Sequence, residues 1–155
     1  MANESGGGKP FIVFELAATT YAVETQVVQQ MEMVDHITPV PNAPAFVDGV
    51  VFARGQVVPV VNLRARFGFQ RIPNDLKTRL MVIAKDGRTV GLLVDAAREF
   101  VTLPPEAIQP PPEAVTGLSG KYLAGLATLS ERVVLILDVT EVLNFQDSTS
   151  ATSVN

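Results

Sequence analysis

Two stretches of this chain repeat each other in register, residues 49–67 and residues 125–143. Each opens on a glycine, Gly49 or Gly125, and continues through an apolar run into a polar turn. A second run without charges follows and ends on Asn62 or Asp138, which opens a short helix-like segment. A second correspondence links residues 11–23 with residues 80–94, each reading as two strands joined by a tight turn. In the later copy the turn is Asp86-Gly87, a pair that tolerates the positive φ of a two-residue hairpin; in the earlier copy Ala18-Thr19-Thr20 does the same less clearly. A chain built this way is a duplicated unit, and two similar lobes are expected, approximately 11–69 and 78–145, joined through the polar stretch 70–77.

The second strand of each repeat constrains the packing. Val57-Val58-Pro59-Val60-Val61 and Val133-Val134-Leu135-Ile136-Leu137 are apolar at odd and even positions alike, whereas a half-exposed strand alternates. Both faces must therefore be covered, one by a small barrel's interior and the other by the partner lobe. Pro59 has no N–H for a ladder and belongs at an edge or bulge. Asn62 and Asp138 are good helix N-caps, with Glu141 placed as in a capping box, and each opens only a short helix. Residues 24–33 have a mixed spacing that reads as a helical turn running into a strand. Prolines at 39, 41, 44, 104, 105, 110, 111 and 112 keep two connections extended. Phe46, Phe67 and Phe100 read as core anchors, and Asp95 as a turn or cap residue that ends an apolar strand. Residues 1–10 and 146–155 are too poor in apolar side chains to offset ordering entropy and read as tails.

Composition narrows the chemistry. Twelve basic residues against 16 acidic ones give a net charge of -4 with no basic run, which argues against nucleic acid or an anionic membrane as partner. With no cysteine, disulfide and thiolate chemistry are absent, as fits a cytoplasmic protein. No apolar run approaches the roughly 18 residues of a membrane span. The single histidine, His36, reads as a loop residue, and Asp35, Asp48, Asp86, Asp95 and Asp138 show no spacing of a paired acid and base. Gly6-Gly7-Gly8 lies in a tail, and Gly117-Leu118-Ser119-Gly120 lacks the Lys-Ser/Thr pair and the preceding strand of a phosphate loop. No cofactor and no metal are expected, and binding is favoured over turnover. Two rival readings stay open: a small β-barrel enzyme or ligand-binding domain with carboxylates in a cleft between the lobes, and a barrel for single-stranded nucleic acid. The second needs a basic groove with stacking aromatics, which an acidic chain with 6% aromatic residues supplies poorly.

Several segments, taken together and in order, resemble the CheW family of chemotaxis coupling proteins. They are 11–16, 38–50, the run from Arg54-Gly55 to Asn62-Leu63-Arg64, Val90-Gly91-Leu92-Leu93-Val94-Asp95, and Ile108-Gln109-Pro110-Pro111. The resemblance spans residues 11–144. It implies a mainly β protein of two SH3-like five-stranded barrels packed together with a few short helices. It also implies a non-catalytic adaptor that joins the cytoplasmic tip of methyl-accepting chemoreceptors to the regulatory domain of a CheA-type histidine kinase, with other CheW-like proteins as partners in rings. Such a protein is cytoplasmic and recruited to receptor clusters. Carried over by position, a receptor-binding groove between the lobes would involve Val28, Gly49, Arg54, Gly55, Leu80 and Gly91, with Arg54 first among them. Physics alone reads Arg54 as a solvated hairpin-tip charge and the glycines as turn geometry. Kinase contacts are placed at Val40 and Phe46 in the first lobe and Leu103 and Ile108 in the second. The chain departs from the family pattern at Phe52-Ala53, where Asn-Leu is common, and at Gln30, where an acid is common. These departures suggest a specialised array, such as one for surface motility, pili or development.

Overall fold

Four hairpins, each closed by two residues of positive φ, organise the chain. The pairs are Ala17-Ala18, Arg54-Gly55, Asp86-Gly87 and Ser130-Glu131, with φ between 51° and 78°. Such turns match the right-handed twist of the flanking strands. Only two of the eight residues are glycine, so the others bear a left-handed backbone that costs roughly 1 kcal/mol each. The first turn falls on the two alanines, one position earlier than expected, and the N–H of Ala17 there donates to Asp95 Oδ2 at 2.9 Å.

The computed structural model describes residues 8–112 and 119–145. In order the strands are β1 (Lys9–Leu16), β2 (Thr19–Glu24), β3 (Val28–Met33), β4 (Val47–Ala53), β5 (Gln56–Asn62), β6 (Arg79–Lys85), β7 (Arg88–Val94), β8 (Ala96–Leu103), β9 (Leu123–Leu129) and β10 (Arg132–Leu137). Two one-turn helices, α1 (Leu63–Arg66) and α2 (Val139–Val142), follow β5 and β10. The expected tails lie mostly outside the described residues. Lys9 and Pro10 do not belong to one, because they open β1 and pair with Leu103 and Thr102. Residues 24–33 form a 3-10 turn, Thr25–Val27, running into β3. The caps form too: Asn62 Oδ1 accepts from the N–H of Ala65 at 3.1 Å, and Asp138 Oδ1 from that of Glu141 at 3.2 Å.

The strands make two five-stranded sheets of the same plan. The first barrel has the order β8-β1-β2-β10-β9 and the second β3-β6-β7-β5-β4. Each barrel takes a hairpin from one repeat and three strands from the other. The contiguous lobes expected at 11–69 and 78–145 are therefore not the barrels. The exchange is joined by two short parallel pairings, β2 with β10 at Tyr21 and Ala22, and β7 with β5 at Gly91, Leu92 and Leu93. An in-register repeat offers each hairpin two equivalent edges, and nothing local distinguishes pairing within a copy from pairing between copies. Pro59 sits immediately before β5 meets β7 at Val60, so the side where its N–H is missing has no ladder neighbour.

Apolar side chains on both faces of the central strands fill three clusters. From β1, Ile12, Phe14 and Leu16 enter a cluster between the barrels, while Phe11 and Val13 enter the interior of the first. From β6, Met81 and Ile83 face the same central cluster and Leu80 and Val82 the interior of the second barrel. Burying each such side chain contributes about 1.5–3 kcal/mol, which makes the inter-barrel contact a shared core. Val57 and Val133, at equivalent ends of the repeated strands, are exceptions and stand exposed. Phe46 is buried and Phe67 packs between Tyr21 and Tyr122, stacked on the latter, as core anchors do. Phe100 is not one: it is 73% exposed, because β8 is an edge strand with most of its length in solvent.

One bridge beyond each sheet joins its two edges. Thr38 pairs with Val50 in the second barrel and Gln109 with Leu126 in the first. Next to each lies the glycine that opens the repeat. A Cβ on Gly49 would stand 2.1 Å from the carbonyl oxygen of Thr38, and one on Gly125 2.8 Å from that of Gln109. Two polar hubs then tie the barrels. Asp95 accepts from Arg64 of α1 at 2.7–3.2 Å as well as from Ala17. Arg66 of α1 donates to the carbonyls of Val142 and Asn144 at the end of α2, at 3.0 and 2.8 Å, with the rings of Phe46, Tyr122 and Phe145 around its guanidinium.

Candidate partner-binding site

The β4–β5 hairpin of the second barrel carries the most distinctive exposed chemistry. Arg54 is the first turn residue, with φ 52°, and its Nη1 donates to Gln30 Oε1 on β3 at 3.1 Å. That contact spans the gap between the two edge strands of the sheet. It orients the guanidinium without neutralising it, because the acceptor is an amide. Gly55 has nothing within 4 Å of where a Cβ would lie, so its role is the positive φ of 78°.

Below the turn, Phe52 and Val57 face each other across the hairpin and are 73% and 64% exposed. With Met33 they border an open pocket of about 440 Å³ floored by Val50, Val51 and Leu80. Its polar rim is Glu32, Asp35, His36 and Thr38. An apolar depression with a fixed cation beside it and carboxylates on its rim suits an amphipathic protein segment. Among the described residues no three of His, Cys, Asp and Glu are grouped to hold a metal, and His36 is an exposed loop residue. Arg64 is raised above the usual arginine value, chiefly by its hydrogen bonds to Asp95, and belongs to the hub between the barrels.

The model of the CheW-like domain matches residues 10–147. The chain belongs to the CheW-like family. It is 33% identical over 140 residues to the chemotaxis protein CheW of Klebsiella aerogenes, covering 90% of this chain and 84% of that protein. It is 30% identical to the chemotaxis protein CheW of Bacillus subtilis, with 97% of each covered. The protein FrzA of Myxococcus xanthus is 26% identical over 112 residues, 72% of this chain and 70% of FrzA. Among solved structures, the scaffolding protein TtCheW of Thermoanaerobacter tengcongensis superposes with a TM-score of 0.82 at 28% identity, covering 89% of this chain and 94% of that one. As a CheW-like protein the chain is a non-catalytic adaptor of chemotaxis signalling, and the enzyme alternative is not favoured. No helix among the described residues is long and apolar enough to cross a membrane.

In this CheW-like protein the six expected groove residues all lie on one barrel. The space between the barrels is the packed central cluster, and Val28 lies half-buried against it. Gly49 is sealed behind Thr38, and Gly91 lies under Leu80, whose Cδ1 would be 2.8 Å from an added Cβ. Leu80 is 3% exposed and reaches only the pocket floor. Arg54 and Gly55 alone are exposed. Of the residues placed at the kinase, Val40 is exposed, whereas Phe46 and Leu103 are core and Ile108 packs against the first barrel's interior beside Gly125. Phe46 and Leu103, expected at the kinase, are 6% and 5% exposed and pack in the core. Sequence reasoning missed the pocket itself. Phe52, singled out as a departure from the family pattern, was the one available signal, an aromatic beside a two-residue turn.

Proposed function

We propose that this chain joins the cytoplasmic tip of methyl-accepting chemoreceptors to the regulatory domain of a CheA-type histidine kinase, working in the cytoplasm at receptor clusters. The observation that carries the reading is Arg54, held at an exposed hairpin tip by a neutral partner and set beside an open apolar pocket. A receptor tip is a helical hairpin, so its apolar face can enter the pocket while the guanidinium fixes orientation through polar contacts. Arg54, Gly55 and the pocket are the contact surface. Gly49, Leu80 and Gly91 support it from within the barrel, and Val28 from the cluster between the barrels. Toward the kinase, exposed Val40 is the surviving contact residue.

The test is Arg54→Glu. The variant is expected to keep the far-UV circular dichroism and melting temperature of the parent while losing binding to a soluble receptor-tip hairpin fragment in calorimetry. Unchanged binding, or a loss of fold equal to the loss of binding, would refute the assignment.

A further inference from the structure

Where the barrels meet at one end, a second cleft of about 430 Å³ opens between Glu15 of β1, Ala96, Ala97 and Arg98 of β8, and Lys77 and Arg79 at the start of β6. We propose that this cleft seats a short acidic segment of a protein partner, at a site distinct from Arg54. Arg79 and Leu80 are consecutive on β6 and so face opposite sides of the sheet. Leu80 floors the pocket below Arg54, which puts the cleft on the other face.

Three cations and one carboxylate line it. Arg98 pairs with Glu15, both about one-third exposed. Arg79 Nη1 donates to the carbonyls of Leu76 and Thr78 at 2.7 and 2.9 Å, which fixes the guanidinium and leaves its charge in place. Lys77 is exposed. The neighbouring carboxylate of Asp75 is outside the lining and accepts from the N–H groups of Lys77 and Thr78. Arg64 and Arg71 are matched to the acids Asp95 and Asp48, whereas the hydrogen bonds of Arg79 go to carbonyls. A local excess of positive charge in a chain of net charge -4 is a built feature and not a reflection of composition. Ala96 and Ala97 keep the floor shallow, and β8 is an edge strand, so a partner's backbone can approach closely.

The same charge balance decides the class of partner. A nucleic acid or anionic membrane extends far beyond one cleft and meets the acidic remainder of the surface, and its affinity depends on a long run of basic contacts. A few carboxylates on one peptide segment meet only the cleft, where arginine forks can hold them in pairs.

The test uses the full chain and a fluorescein-labelled helical peptide of alternating Glu and Ala blocks, with a Gln-for-Glu counterpart. Fluorescence anisotropy is expected to show binding of the Glu peptide alone. Lys77→Gln with Arg79→Gln is expected to weaken it about tenfold and flatten its salt dependence. Lys85→Gln with Arg132→Gln removes the same charge away from the cleft and is expected to leave binding within about twofold. Arg54→Glu is expected to leave the peptide bound, so failure here is separable from failure of the receptor reading. Equal losses in both double variants, binding of the Gln peptide, no binding of either peptide, or tighter binding to single-stranded RNA or phosphatidylserine vesicles than to the Glu peptide would each overturn the proposal.

Discussion

Replacing Gly49 by alanine tests whether this residue acts in the barrel or at the partner. With φ at +147° its backbone is in a region side chains rarely adopt, which costs about 1–3 kcal/mol. The new methyl would lie 2.1 Å from the Thr38 carbonyl oxygen and 2.7 Å from its carbon, both backbone atoms that cannot rotate aside. To relieve this, the closing strand must withdraw by about 1 Å or more, beyond the reach of ordinary contact. That movement strains or breaks both bonds of the Thr38–Val50 bridge, each 2.9 Å and each contributing about 1 kcal/mol net. The combined cost is about 3–5 kcal/mol, a large fraction of the stability of many domains. Gly125→Ala is the internal control. There the methyl meets Ile108 Cγ2 at 2.7 Å and the Gln109 oxygen at 2.8 Å, and part of the clash can be relieved by a side chain, so about 2–3 kcal/mol is expected. Urea unfolding followed by far-UV circular dichroism measures both. A Gly49→Ala protein within about 1 kcal/mol of the parent, or one more stable than Gly125→Ala, would refute the reasoning. So would a variant of full stability that no longer binds a receptor hairpin, since Gly49 would then be a contact residue.

Two further outcomes follow from the polar hubs and turns. Asp95→Ala removes the acceptor shared by Arg64 and the strained Ala17 turn, whose partners are only 17% and 22% exposed across the ion pair; a loss of about 2–3 kcal/mol in urea melts is expected, with Arg64→Gln costing about half as much because the Ala17 bond survives. Asp75 is held below the usual carboxylate range, first by the N–H of Lys77 and then by Thr78, so its contribution is present above the unfolded value of about 4 and is lost as pH falls through the lower folded value. Asp75→Asn should flatten that part of the acid limb in a pH series of urea midpoints, and an unchanged limb would remove Asp75 from the account.

How far the sequence could be read depended on whether a feature was local. Asn62 and Asp138 capped their helices as their side chains require, Asp86-Gly87 made its turn, and residues 24–33 turned into a strand where the spacing changed. Phe100 went the other way, because whether an apolar residue is covered depends on which strand lies beside it, and β8 lies at an edge.

By itself the sequence determined that the chain is a doubled β unit with both strand faces covered, since two-sided apolar strands in register cannot be satisfied otherwise. Only the tertiary structure decided that the hairpins are exchanged between copies, because two near-identical edges compete and the choice rests on pairings far apart in the chain. It likewise decided that Gly49, Leu80 and Gly91 serve the barrel while Arg54 and Phe52 face outward. A residue type states what a side chain can do, and its exposure is set by neighbours that come from elsewhere in the sequence.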